Sequence, residues 1–163
     1  MKDSAGKKKG SNAVGSAFRL LSYRDRSEKE LVERLRQKGF SEQAVQDALE
    51  YLKEKGFIDN ERLARSLKRY AEEVKLLGVS GSKGFLRQRG IPEKIIRDVI
   101  RSEDQEEIER AKKIAEKKLR TLGDHPDNKI REKLWRLLVR KGYSSGTVRQ
   151  ILRNLKTDEE DME

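Results

Sequence analysis

Apolar residues recur along this chain at helical spacing, and in three places they flank a glycine in the same register. Residues 35–49 read LRQKGFSEQAVQDAL, residues 86–100 LRQRGIPEKIIRDVI and residues 138–152 LVRKGYSSGTVRQIL. Leu35, Leu86 and Leu138 stand four residues before Gly39, Gly90 and Gly142, and Phe40, Ile91 or Tyr143 follows directly. Six and ten residues beyond the glycine come Val45 and Leu49, Ile96 and Ile100, Val148 and Leu152. These offsets keep one apolar stripe on a helix at each side of the glycine. The glycine supplies the left-handed residue that ends the first helix, and the Lys or Arg before it suits the negative end of the helix dipole. Ser41, Pro92 and Ser144 stand where the next helix starts, Ser as a cap and Pro as a first-turn residue. Each phrase therefore predicts a sharp helix–turn–helix corner, repeated with a period of about fifty residues.

Each corner has a helix upstream. In the first copy it covers Ala17 to Leu21 and ends near Arg24, after which Ser27 and Glu30 form a capping box for the helix leading to Gly39. In the second, Asp59 caps a helix with the stripe Leu63, Leu67, Tyr70 and Val74. In the third, Ile108, Ala111, Ala115 and Leu119 line a charged helix ending near Gly123, and Ile130 to Arg140 follows the loop GDHPDNK. The pattern predicts an all-α protein of three tandem three-helix repeats, in an elongated, curved row. The boundaries read as a disordered basic arm over 1–16, modules over 17–58, 59–104 and 105–156, and an acidic tail over 157–163.

Composition changes this picture little. Charged residues make up 42% of the 163 and the hydrophobic set 34%, enough for thin helical layers but not for one thick core. Without cysteine there are no disulfides or thiolate metal sites. No segment has the apolar run of a signal peptide or membrane span, so a soluble, cytoplasmic monomer is expected.

Charge adds more. The net charge of +10 points to a polyanion or an acidic protein surface as partner. Two stretches lack acid altogether: Val74 to Pro92, with Lys75, Lys83, Arg87 and Arg89, and Lys133 to Thr157, with Lys133, Arg136, Arg140, Lys141, Arg149, Arg153 and Lys156. Either could be a solvated helix face; the second reads better as a binding surface.

Candidate catalytic chemistry is thin. His125, the single histidine, lies between Asp124 and Asp127 in a loop that reads as a polar turn. The glycines of VSGSKG follow no strand, so they mark a loop and a helix start, not a phosphate cradle. Glu72-Glu73 and Glu106-Glu107 sit on charged helices. No enzyme, cofactor or metal is expected. Trp135, among Arg136, Arg140 and Lys141, could stack on a base, but it aligns with Val32 beside Leu134 and Leu138 and is expected in the core, as is Tyr143. A sequence-specific repressor fits poorly, because the helices after Gly39 and Gly90 carry acid on the face that would read bases.

The segments RSEKELVERLRQKGF, GFIDNERLARSLKRYAEE and LRQRGIPEKIIRDVI resemble the RecX regulatory proteins. The likeness runs from about Ala17 to Lys156 and is most specific at Gly56-Phe57-Ile58-Asp59-Asn60-Glu61-Arg62-Leu63-Ala64, with Asn60 in place of the family's second acid and Leu63 where Phe is frequent. Ser82-Lys83-Gly84-Phe85 departs further, since Gly84 within a helix costs about 1 kcal/mol relative to Ala. The resemblance implies a protein that binds RecA and its nucleoprotein filament and inhibits filament extension, ATP hydrolysis, strand exchange and co-protease activity. The alternative is a sequence-independent DNA-binding protein that competes with RecA for single-stranded DNA. Under either, the expected RecA- or DNA-binding surface comprises Arg65, Lys68, Arg69, Lys75, Arg87, Arg89, Arg136, Arg140, Lys141, Arg149 and Arg153.

Overall fold

In the computed structural model the backbone is described over residues 4–101, 104–123 and 126–160, and the side chains over 12–101, 105–123 and 126–155. Among the described residues the chain forms α1 (Ser4–Tyr23), α2 (Glu28–Gln37), α3 (Glu42–Glu54), α4 (Asn60–Arg69), α5 (Val79–Gln88), α6 (Glu93–Val99), α7 (Asp104–Leu122), α8 (Asp127–Arg140) and α9 (Ser145–Glu160). A π-helical turn, Tyr70–Val74, continues α4. It is an all-α repeat fold. The helices divide between two compact units, residues 1–66 with 86–96 and residues 67–85 with 97–163, so the stretch read as a middle module contributes to both.

The first unit is built on α1, α2 and α3. Leu31 and Leu35 of α2 and Val45, Ala48, Leu49 and Leu52 of α3 pack with Ala13 and Ala17 of α1. Residues 4–16, expected in a disordered arm, lie in α1, which begins at Ser4, and Ala13 and Ser16 are buried; residues 1–3 lie outside the described residues. Ser27 forms the expected capping box, its Oγ accepting from the Glu30 N–H while the Glu30 carboxylate accepts from the Ser27 N–H. Gly39 takes φ +83°, ending α2 as its position predicts. In the family-specific stretch, Phe57 meets Phe18 edge-to-face at 4.7 Å, Ile58 is buried, and Asp59 Oδ1 accepts from the Glu61 and Arg62 N–H groups.

The second unit is a bundle of α7, α8 and α9 over Ala111, Ile114, Ala115, Leu134, Leu138, Tyr143, Val148 and Ile151. Leu76 joins this core through a change of helical phase. Leu63, Leu67 and Ala71 are buried at four-residue intervals, and the next buried residue is Leu76. The π turn supplies the extra residue, and the Lys75 N–H donates to the Tyr70 carbonyl as a π turn requires. Tyr70 and Val74, expected on the apolar stripe, consequently face solvent. Residues 157–160, expected in an acidic tail, continue the backbone of α9; residues 161–163 lie outside the described residues.

Candidate functional site

The glycine corners do more than turn the chain. Each of the last two sits on the start of the second helix of the repeat before it. In the first unit, a Cβ on Gly90 would meet Ser27 Oγ and the Lys29 side chain. In the second unit, a Cβ on Gly78 would strike the Gly142 carbonyl, and one on Gly142 the Gly81 backbone. Gly78 N–H donates to Lys141 O (3.0 Å) and Ser80 N–H to Gly142 O (3.2 Å), so the carbonyls of the corner after α8 satisfy orphan donors at the opening of α5. The neighbouring repeat also supplies a side-chain acceptor. Asn60 Oδ1 takes the Glu28 N–H (3.1 Å) at the start of α2, and Glu107 Oε1 the Val79 N–H (2.9 Å) at the start of α5. Glu107 is buried and also accepts from the Thr147 hydroxyl at 2.7 Å.

This docking uses two of the basic residues expected on the binding surface. Arg89 donates through Nη2 to the Asp25 carbonyl (2.9 Å) and through Nε to Glu30 (3.1 Å). Lys141 donates through Nζ to the Lys75 carbonyl at 2.7 Å. The residue before each glycine thus reaches the backbone just ahead of the preceding repeat's helix. The helix-dipole reading of these cations did not anticipate that reach.

Other candidates are paired locally. Arg87 binds Glu93 through both its Nε and its Nη2. Arg65 pairs with Glu61, Lys68 with Glu72 and Arg136 with Glu132, all four apart on helices and of the kind that contributes little. Lys75 Nζ lies 5.8 Å from the Tyr70 ring centroid and 5.2 Å from that of Phe85, within cation–π range.

Arg69, Arg140, Arg149 and Arg153 have no ion-pair partner among the described residues. Arg149 and Arg153 are exposed one turn apart on α9, and Arg140 closes α8. Trp135, expected in the core, is instead 51% exposed, and Val139 one turn on is 46% exposed. The alignment with Val32 holds, but that position is only partly buried in the first repeat too, being one residue off the stripe of Leu31 and Leu35. Tyr143 is buried as expected.

The structure also brings together cations that sequence reasoning missed. Lys117 and Lys118 of α7 join Lys75 and Lys141 around a cleft of ≈ 310 Å³ floored by Leu76, Ile114 and Leu137. The signal was masked because Glu116 precedes this lysine pair, so it lies outside both acid-free stretches. Burial, and then the charges of Lys75, Arg140 and Lys117, hold the Lys141 ammonium below the ordinary lysine range. Among the described residues no cluster of His, Asp and Glu could hold a metal ion, and Asp124 and His125 lie outside the described residues. No helix among them is long and apolar enough to cross a membrane.

Comparison with known proteins now gives the repeats a lineage. Residues 13–52 match the family model of the first three-helix domain of RecX, and residues 104–152 that of its third. A regulatory protein RecX of Chlorobaculum tepidum is 34% identical over 145 residues, covering 89% of each chain. Its counterpart in Staphylococcus aureus is 32% identical over 87% of this chain, which spans about half (52%) of that longer protein. The crystal structure of RecX from Lactobacillus salivarius, 24% identical, shares the fold with a TM-score of 0.79 over 93% of this chain and 99% of its own. A second crystal structure of a regulatory protein RecX, 29% identical, gives 0.79 over 90% of this chain and 74% of its own. With that identity extending over most of its length, the chain belongs to the RecX family of regulatory proteins.

Proposed function

We infer that this protein binds the RecA nucleoprotein filament and restrains it, lowering filament extension and ATP hydrolysis. The observation that carries the reading is the group Arg140, Arg149 and Arg153 on α8 and α9 of the second unit, none with an ion-pair partner among the described residues; Arg69, likewise without one, stands on α4. A guanidinium already held by a carboxylate gains little from a second anion, whereas an unpaired one keeps its full donor fork. Arg87 and Arg89 are committed within the chain, whereas Arg136 has only an exposed helical pair with Glu132, so the contact surface contracts from the broad basic set expected from sequence to the α8–α9 end. Membership of a family named for regulation supports a binding protein over an enzyme.

Exposed Trp135 favours a second reading. A tryptophan beside Arg136 and Arg140 on one helix can stack on an unpaired base while the arginines meet phosphates. On that reading the protein would compete with RecA for single-stranded DNA. Titrating preformed RecA filaments with this protein at two salt concentrations, while measuring its binding to bare single-stranded DNA, separates the two. ATP hydrolysis inhibited in salt that abolishes bare-DNA binding is the result expected of a filament modulator. Inhibition that falls in step with DNA binding would make it a competitor.

A further inference from the structure

The cleft between the π turn, α7 and the end of α8 plays no part in the filament reading. Its rim carries four lysines, Lys75, Lys117, Lys118 and Lys141, with Thr121; its floor is Leu76, Ile114 and Leu137, with Val74 at the edge. None of the described residues lining it is acidic. Four lysines line one cleft, the Lys141 ammonium feels the charges of Lys75 and Lys117, and its bond to the Lys75 carbonyl holds it in place. Such a cluster suits a multiply charged anion. The apolar floor adds a second demand, because inorganic phosphate would leave it wet. A volume of ≈ 310 Å³ lies at the small end of ligand sites.

We propose that this cleft binds a phosphate ester carrying an aromatic base, that is, a nucleoside diphosphate or the phosphorylated terminal nucleotide of a single strand. The lysines take the phosphates as point charges, and the base lies on Leu76, Ile114 and Leu137. Duplex DNA fits poorly, since its bases are stacked away from any apolar floor. The depressed ammonium of Lys141 faces Lys75, Arg140 and Lys117, and it regains its proton affinity when the anion arrives. Affinity therefore falls as pH rises through the lowered Lys141 value, earlier than ordinary lysines would dictate.

Calorimetry of the full chain, without RecA, tests the site independently of the filament reading. ADP is expected to bind saturably, tripolyphosphate more weakly, and adenosine not at millimolar concentration. Replacing Lys117→Gln and Lys118→Gln together should weaken ADP about tenfold or more with unchanged circular dichroism. Lys53→Gln with Lys55→Gln, which removes the same charge from the first unit, should leave ADP binding intact. A 5′-phosphorylated oligonucleotide that displaces ADP, when its unphosphorylated twin does not, identifies a strand end as the source; displacement by neither identifies the free nucleotide. The proposal is overturned by absent ADP binding, by tripolyphosphate binding as tightly as ADP, by equal displacement by both oligonucleotides, or by equal loss in the two lysine variants.

Discussion

The Tyr143 hydroxyl donates to the Leu76 carbonyl at 2.8 Å, in a buried bond that pins the one non-glycine residue with positive φ among those described. Leu76, at φ +50°, is where the chain leaves the π turn to begin α5. A left-handed leucine is strained and persists only where its surroundings over-determine it. Tyr143 and Lys141 do this by gripping successive carbonyls, Leu76 and Lys75. Tyr143→Phe keeps the ring and orphans a buried carbonyl, so a loss of about 1–3 kcal/mol is expected in urea denaturation.

The same tyrosine sets a limit on alkaline stability. Burial, offset in part by Arg110, pushes its phenol well above the ordinary tyrosine value. A group whose folded pKa is raised contributes its full stability below the unfolded value, about 10, and loses it as pH rises toward the folded one. Stability measured from pH 8 to 12 should therefore fall above about pH 10. The fall should be shallower in Tyr143→Phe, and an identical slope would remove Tyr143 from the account.

The acid side is governed by Glu30. Burial alone would raise its carboxyl, but hydrogen bonds from Arg24, Arg89 and the Ser27 N–H outweigh burial and hold it below the usual range. The resulting stability is present above the unfolded value of about 4.3 and disappears as pH falls through the folded one. Glu30→Gln should cost about 1–3 kcal/mol at neutral pH and flatten the acid limb of the stability curve. Arg89→Ala, by the same geometry, should lower stability rather than act only on a partner.

Glycines of nearly equal φ should respond differently to alanine. Gly39 and Gly142 have φ of +83° and +80°. A Cβ at Gly39 meets nothing within 4 Å, whereas at Gly142 it meets the Gly81 backbone. Gly39→Ala should cost only the left-handed penalty, about 1–2 kcal/mol. Gly142→Ala should add about 1–3 kcal/mol of overpacking. Urea midpoints measured on the two variants decide this, and equal losses would mean the third corner does not dock as described.

These contrasts mark what could be read from sequence. Helix identity, the Ser27 capping box, the three left-handed glycines and the stripes through Leu31–Leu35 and Leu134–Leu138 all follow from local chemistry, which spacing reports directly. The phase change at Tyr70–Val74 was hidden because the stripe Leu63, Leu67, Tyr70, Val74 is itself a valid helical pattern. Only the packing of Ala71 and Leu76 selects the π turn. Gly81 read as part of a loop and helix start, yet its small size, like that of Gly78, serves the backbone contact with Lys141 and Gly142. Nothing in the structure explains Gly84, whose absent Cβ faces open space. Of the expected surface, sequence showed which residues are basic but not which are already paired, since Arg87–Glu93 and Arg89–Glu30 arise from turns and tertiary docking.

The most direct test of the central claim is charge reversal at the three arginines of α8 and α9 that have no ion-pair partner among the described residues. The Arg140→Glu, Arg149→Glu, Arg153→Glu variant should need about tenfold or more protein to inhibit ATP hydrolysis by preformed RecA filaments, with its urea midpoint little changed. Undiminished inhibition by a folded variant would contradict the assignment of the α8–α9 end as the filament contact.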